Sequence, residues 1–192
     1  MRVIIIEGPD NSGKNTLIHN IIDNHDVVKV IHCHKPERGD PDPFSTMKRI
    51  YLWHAEEIIR DKIEGHVDVV VFNRYHISEY VYGQMYRNGN PEAIKEMIDT
   101  IDEYLINNIG KENIYYVQLS CTAPALLIKY EDGLSLSGGS EGRIKMELAK
   151  FEEIYQYSKL NKTKIRINDG EGNFNSRGHI VEQFKKFIYE SE

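Results

Sequence analysis

A chain of 192 residues is long enough for one domain with a substantial core and short for two, so a single domain over residues 1–192 is expected. A composition of 40% hydrophobic, 28% charged and 10% aromatic residues excludes disordered and low-complexity classes. With 24 Lys and Arg against 30 Asp and Glu the net charge is -6, which disfavours an extended nucleic-acid backbone as partner but leaves room for a small anion held by local cations. Cys33 and Cys121 are too few for a disulfide framework. No leader pattern is evident, and no apolar run approaches the roughly 20 residues that span a bilayer. A reducing, cytoplasmic setting is expected, with no membrane partner.

In chain order, Val3-Ile4-Ile5-Ile6 reads as a strand buried on both faces, followed by a helix over Lys14 to Asn24 with Leu17, Ile18, Ile21 and Ile22 at helical spacing. Val27 to Cys33 is a second strand and Thr46 to Gly65 a long helix carrying Met47, Ile50, Tyr51, His54, Ile58 and Ile59 near one face. Val67 to Phe72 is a third strand. Helices over His76 to Asn88 and Pro91 to Ile109 follow, the second opened by Pro91 and stopped by Gly110. Ile114 to Ser120 is a fourth strand and Ala123 to Tyr130 a short helix. Glu131 to Gly142 is rich in Gly and Ser with almost no large apolar side chains, which predicts a mobile surface loop. A helix over Arg143 to Lys159, a strand over Thr163 to Ile167 and a helix over Ser176 to Tyr189 complete five β/α units. Such alternation predicts an α/β domain with a five-stranded parallel sheet and helices on both faces.

The strongest motif is Gly8-Pro9-Asp10-Asn11-Ser12-Gly13-Lys14, with two glycines five positions apart and a lysine after the second. It follows a buried strand and opens a helix, so backbone N–H groups and the helix N-terminus converge where an anion would sit. Gly8 to Thr16 are therefore the candidate nucleotide-binding segment, with Lys14 supplying charge between β- and γ-phosphates. The next position calls for a Ser or Thr hydroxyl on magnesium, but Asn15 stands there and Thr16 follows. An amide oxygen can also ligate a hard cation, which makes Asn15 the candidate metal contact.

Glu7-Gly8-Pro9-Asp10 with Gly13-Lys14, then Asn73-Arg74-Tyr75-His76-Ile77-Ser78 and Val81-Tyr82, resembles the thymidylate kinase branch of P-loop kinases, including phage-encoded deoxynucleotide kinases. The family pattern is EGxD…GK followed by DRYxxSxxAY, and its specific motifs cover about a fifth of the chain. The resemblance implies a three-layer P-loop kinase sandwich with a lid, here about residues 131–142, and use of ATP and Mg²⁺. It implies that Asp10 approaches the sugar, that Arg74 holds the acceptor phosphate, and that Arg143 adds charge from the lid. Ser78 and Tyr82 fall in the acceptor-binding motif. Arg suits the phosphate role because its planar fork binds bidentately. The family's Asp is replaced by Asn73, so positions 15 and 73 both carry amides. Glu147 and Phe151 match the spacing of the helix after the lid.

Trp53, with Tyr80, Tyr82 and Tyr86, could stack a nucleobase or fill the core. Aligned with the helix lining the family's thymine pocket, Glu57 takes the place of an arginine, which would set acceptor against thymine O4 and implies either a cytosine-like or broad acceptor range, or a thymine held by other groups with Glu57 turned to solvent. His32-Cys33-His34 is not read as a metal cluster, because neighbours on a strand point to opposite faces. The expected activity is phosphoryl transfer from ATP to a deoxynucleoside monophosphate. A deoxynucleoside kinase, a kinase of modified bases in DNA, and a nucleotide-binding module that has lost catalysis are the alternatives. A homodimer is left open.

Overall fold

The computed structural model describes residues 1–33, 35–37, 39–129 and 135–190. The strands are β1 (Arg2–Glu7), β2 (Val28–His32), β3 (Val69–Asn73), β4 (Ile114–Ser120) and β5 (Asn161–Arg166). They form one parallel sheet in the order β2-β3-β1-β4-β5. The helices are α1 (Lys14–Ile22), α2 (Pro43–Glu64), α3 (Glu79–Arg87), α4 (Pro91–Ile109), α5 (Pro124–Lys129), α6 (Glu141–Tyr157) and α7 (Arg177–Tyr189).

The alternation of side chains along β1 explains the layers. Val3 and Ile5 join Tyr51, Ala55 and Ile58 of α2 and Met97, Ile98 and Ile101 of α4 in one buried cluster. Ile4 and Ile6 join Leu17 and Ile21 of α1 and Phe184 and Ile188 of α7 in the other. Each fully buried side chain of this size contributes about 1.5–3 kcal/mol relative to exposure, so sheet and helices hold one another in place. The expected three-layer α/β architecture is present.

Some boundaries differ for local reasons. α2 begins at Pro43 rather than near Thr46, because the Asp42 side chain accepts from Ser45 N and proline occupies the first turn. Residues 76–78 form a 3-10 turn ahead of α3, where a helix from His76 was expected, because Glu7 draws on the backbone N–H groups of Tyr75 and Ser78. α6 starts two residues before Arg143. Tyr130 and residues 131–134, the first part of the expected lid, lie outside the described residues. No helix among the described residues is long and apolar enough to cross a membrane.

Candidate active site

The carboxyl end of β1, between β3 and β4, is where an open parallel sheet forms a crevice. Gly8 leaves the strand there with φ 142°, and a Cβ on it would lie 2.7 Å from the Leu119 carbonyl oxygen. No larger residue fits without moving β4. Gly13 has φ 86° and caps α1, whose first turn begins at Lys14. The loop from Gly8 to Gly13 thereby wraps the N-terminus of α1.

Lys14 is buried, not exposed as a loop position suggests. Its Nζ donates to the Pro9 carbonyl (2.6 Å) and the Gly8 carbonyl (3.1 Å), with Ser12 Oγ at 3.4 Å. Burial and the neighbouring Arg74 charge hold its pKa well below the ordinary lysine range.

Arg74 follows β3 with φ 66°, an uncommon conformation for a residue with a side chain. Its N–H donates to the Ile6 carbonyl at 3.0 Å. The guanidinium donates to the Gly8 carbonyl (2.8 Å), the Tyr82 hydroxyl (2.6 Å) and Asp10 Oδ1 (2.5 Å). Burial raises the Asp10 pKa, but the Arg74 and Lys14 charges outweigh it and hold the carboxyl below its usual value. Beneath them lies Glu7, wholly buried. Its Oε1 accepts from Tyr75 N (2.8 Å) and Ser78 N (3.3 Å), while Oε2 has no partner among the described residues. Burial pushes its pKa up to about 7 against the opposing pull of Arg74. The 3-10 turn is held from the other side by His76 Nε2 and Asp102 Oδ1 at 2.7 Å, both buried.

Two cavities meet at this cluster. The first, about 640 Å³, runs along residues 10–17 and on to Ile167, Phe174 and Arg177 at the β5–α7 connection. The second, about 210 Å³, is bounded by Met47 and Tyr51 of α2, Ser78, Tyr82 and Arg87. Asp10, Lys35, Asn73 and Arg74 line both. An extended anion in the first cavity would thus lie beside a ligand in the second, with Lys35 and Arg74 between them.

The structure brings Asp10 to Thr16, Asn73 and Arg74 together, with Ser78 and Tyr82 next to them on the second cavity. Trp53 does not join them. It is 54% exposed, so it neither fills the core nor lines either cavity. Glu57 also lies away from both cavities and takes Lys29 Nζ at 2.8 Å and His54 Nδ1 at 3.2 Å. The α2 residues that do face the second cavity are Met47 and Tyr51, one helical turn apart. Arg143 is exposed in the first turn of α6 and lines neither cavity.

In the described part of the expected lid, Leu136 lines the second cavity and packs against the cluster of Val81, Tyr82 and Phe151. That loop therefore does place an apolar side chain in the interior. Glu147 is buried as well, accepting from Tyr86 Oη at 2.6 Å. Sequence reasoning missed Lys35 and Arg87. Lys35 stands in a stretch without a periodic or motif signal, and Arg87 ends the helix expected over His76 to Asn88, beyond the residues of the motif.

The donors near the loop suit a cation that arrives with phosphate. No group of three or more His, Cys, Asp or Glu able to hold a metal occurs among the described residues. What the site offers is the Asn15 amide oxygen beside Asn73, and magnesium retains water and substrate oxygens rather than needing a protein cage. Those residues fit such an ion.

No family model and no curated protein matches the sequence. Solved structures do match the fold. The YorR protein of Bacillus subtilis, in complex with phosphorylated GDP, superposes with a TM-score of 0.67 at 16% identity, covering 97% of this chain and 95% of that one. Thymidylate kinase from Ehrlichia chaffeensis gives 0.64 at 14% identity over 97% and 98%. Polyphosphate Kinase 2 from Arthrobacter aurescens gives 0.61 at 13%, covering 98% of this chain and 66% of the other. Five parallel strands in the order 2-3-1-4-5, with helices packed on both faces, make this the fold of P-loop kinases.

Proposed function

We propose that the protein transfers the γ-phosphoryl group of ATP to a deoxynucleoside monophosphate. The observation that carries this reading is the wall shared by the two cavities, where Lys35 and Arg74 face both. Among the described residues the second cavity is lined by Lys35, Arg74 and Arg87 and by the carboxylate of Asp10, with Glu79 buried behind Arg87, so cations remain in excess and favour an anionic acceptor over an uncharged nucleoside. The chain's net charge of -6 speaks against a base within DNA.

The chain's own contribution is positioning and charge. Loop amides and Lys14 hold the donor phosphates, and a magnesium ion arriving with ATP would be met by Asn15 and would supply charge neutralisation to the phosphates. Arg74 exchanges its contacts to Asp10 and Tyr82 for the acceptor phosphate. An oxygen of that phosphate attacks the γ-phosphorus as the bond to the β-phosphate oxygen breaks, leaving ADP and a nucleoside diphosphate. Asp10, released from Arg74, is placed to accept from the sugar hydroxyl.

Incubation with ATP and magnesium against a panel of nucleosides and monophosphates, resolved by chromatography, tests this. Diphosphate formation from one or more monophosphates is expected. Phosphorylation of nucleosides alone would establish the nucleoside kinase reading, and ATP binding without transfer to any acceptor would establish a non-catalytic module.

A further inference from the structure

The part of the second cavity away from the shared wall carries an ordered set of polar groups. Glu79 is buried at the start of α3, and its carboxylate accepts from Tyr51 Oη (3.0 Å), Arg87 Nη2 (2.6 Å) and Arg87 Nε (3.3 Å). This fork fixes the Arg87 guanidinium with two of its five N–H donors and leaves three without a partner among the described residues. Arg87, Tyr51 and Ser78 all line the cavity.

The direction of each hydrogen bond decides what these groups can recognise. The Tyr51 hydroxyl gives its hydrogen to Glu79, and Ser78 Oγ gives its hydrogen to the Tyr75 carbonyl at 2.8 Å. Each therefore offers only lone pairs to a ligand, whereas Arg87 only donates. Arg87 and Tyr51 meet on the same Glu79 oxygen, and a donor beside an acceptor complements an edge on which a carbonyl oxygen stands beside a ring N–H. Thymine, uracil and guanine carry that edge. Cytosine and adenine carry its reverse, an amino group beside a bare ring nitrogen, which would set donor against donor and acceptor against acceptor.

We propose that Arg87, held by Glu79 and working with Tyr51 and Ser78, selects acceptors whose base presents a carbonyl next to a ring N–H. This rests on the reading of the second cavity as the monophosphate site.

The pairs dUMP with dCMP and dGMP with dAMP keep ring size and exchange the edge. Affinities by calorimetry, together with kcat/KM, should favour the carbonyl-bearing member of each pair that binds by at least about tenfold. Arg87→Lys, still a pure donor, should keep that preference. Arg87→Gln combined with Glu79→Gln, which avoids a buried unpaired charge, should bring the ratio within about threefold, because an amide both donates and accepts. If the double variant does not fold, Tyr51→Phe must lower the ratio by removing one acceptor.

A preference for the amino-bearing member, or a ratio unmoved by these substitutions, overturns the proposal. Selective binding without phosphoryl transfer would leave it standing and remove the kinase reading. Equal transfer to both members would do the opposite, and failure of every monophosphate to bind would remove both.

Discussion

Asn73 Nδ2 donates to Asn15 Oδ1 at 2.7 Å, so the two positions at which the chain replaces the hydroxyl and carboxylate of the kinases it resembles are in direct contact. Asn73 Nδ2 also lies 3.1 Å from His32 Nδ1. The substitutions act as a pair: one amide oxygen is occupied by the other amide's N–H. We expect Asn15→Thr to leave transfer active, and Asn15→Thr with Asn73→Asp to tighten magnesium-dependent ATP binding by about tenfold, since a carboxylate then faces the ion. Titration calorimetry of ATP at several magnesium concentrations measures this. Loss of ATP binding in a folded Asn15→Thr protein would show that the amide has its own role.

Lys14→Ala should lower turnover by at least about a hundredfold, the scale on which loss of one group stabilising transferred charge is felt. Its effect on stability should stay within about 1 kcal/mol, because the amine it removes is desolvated and held by loop carbonyls. Steady-state rates and urea melts of the same preparation separate the two effects.

Glu7 gives the fold a pH dependence of known sign. Its ordinary value is 4.5 and burial raises it to about 7 in the folded chain. The native state thus holds this proton more tightly than the unfolded state. Its stabilising contribution is complete below 4.5 and is lost as pH rises through about 7. At about 1.4 kcal/mol per unit, the whole shift amounts to roughly 3 kcal/mol. Glu7→Gln retains an acceptor for Tyr75 N and Ser78 N and should flatten this component, with the variant at least as stable as the parent at pH 8. Urea unfolding at pH 5, 6, 7 and 8 reads the slope directly, and an identical slope in both proteins would exclude Glu7 as its source.

Glu57→Gln should leave the preference among monophosphates unchanged, because Glu57 pairs with Lys29 and His54 outside both cavities. Burial is outweighed by the Lys29 and His54 hydrogen bonds, which lower its pKa, so its small contribution is present above the ordinary carboxylate range and fades as pH falls. A loss under about 1 kcal/mol at neutral pH is expected for so exposed a pair. A changed ratio of kcat/KM between dTMP and dCMP would return Glu57 to the site.

These results show which parts of the site the sequence carries locally. The Gly8 to Lys14 loop and the alternation of Val3 to Ile6 are encoded in adjacent residues, so the loop that wraps the N-terminus of α1 and the sheet could both be read directly. Arg74 was legible because its motif sits at a strand end. Trp53 and Glu57 were misplaced because linear alignment ignores helix phase: Trp53 lies about 200° around α2 from Tyr51, which faces the cavity. Arg87 left no local trace. Its partner Glu79 lies two turns earlier on α3 and Tyr51 belongs to another helix, so only packing unites them.

The most direct test of the shared wall is the affinity of a ligand that joins adenosine and a deoxynucleoside through five phosphates. If the two cavities meet at Lys35 and Arg74, this molecule fills both at once. It should then bind at least about a hundredfold more tightly than ATP, with Arg74→Ala removing most of that advantage. Binding no tighter than ATP, or an advantage indifferent to Arg74, would contradict the account.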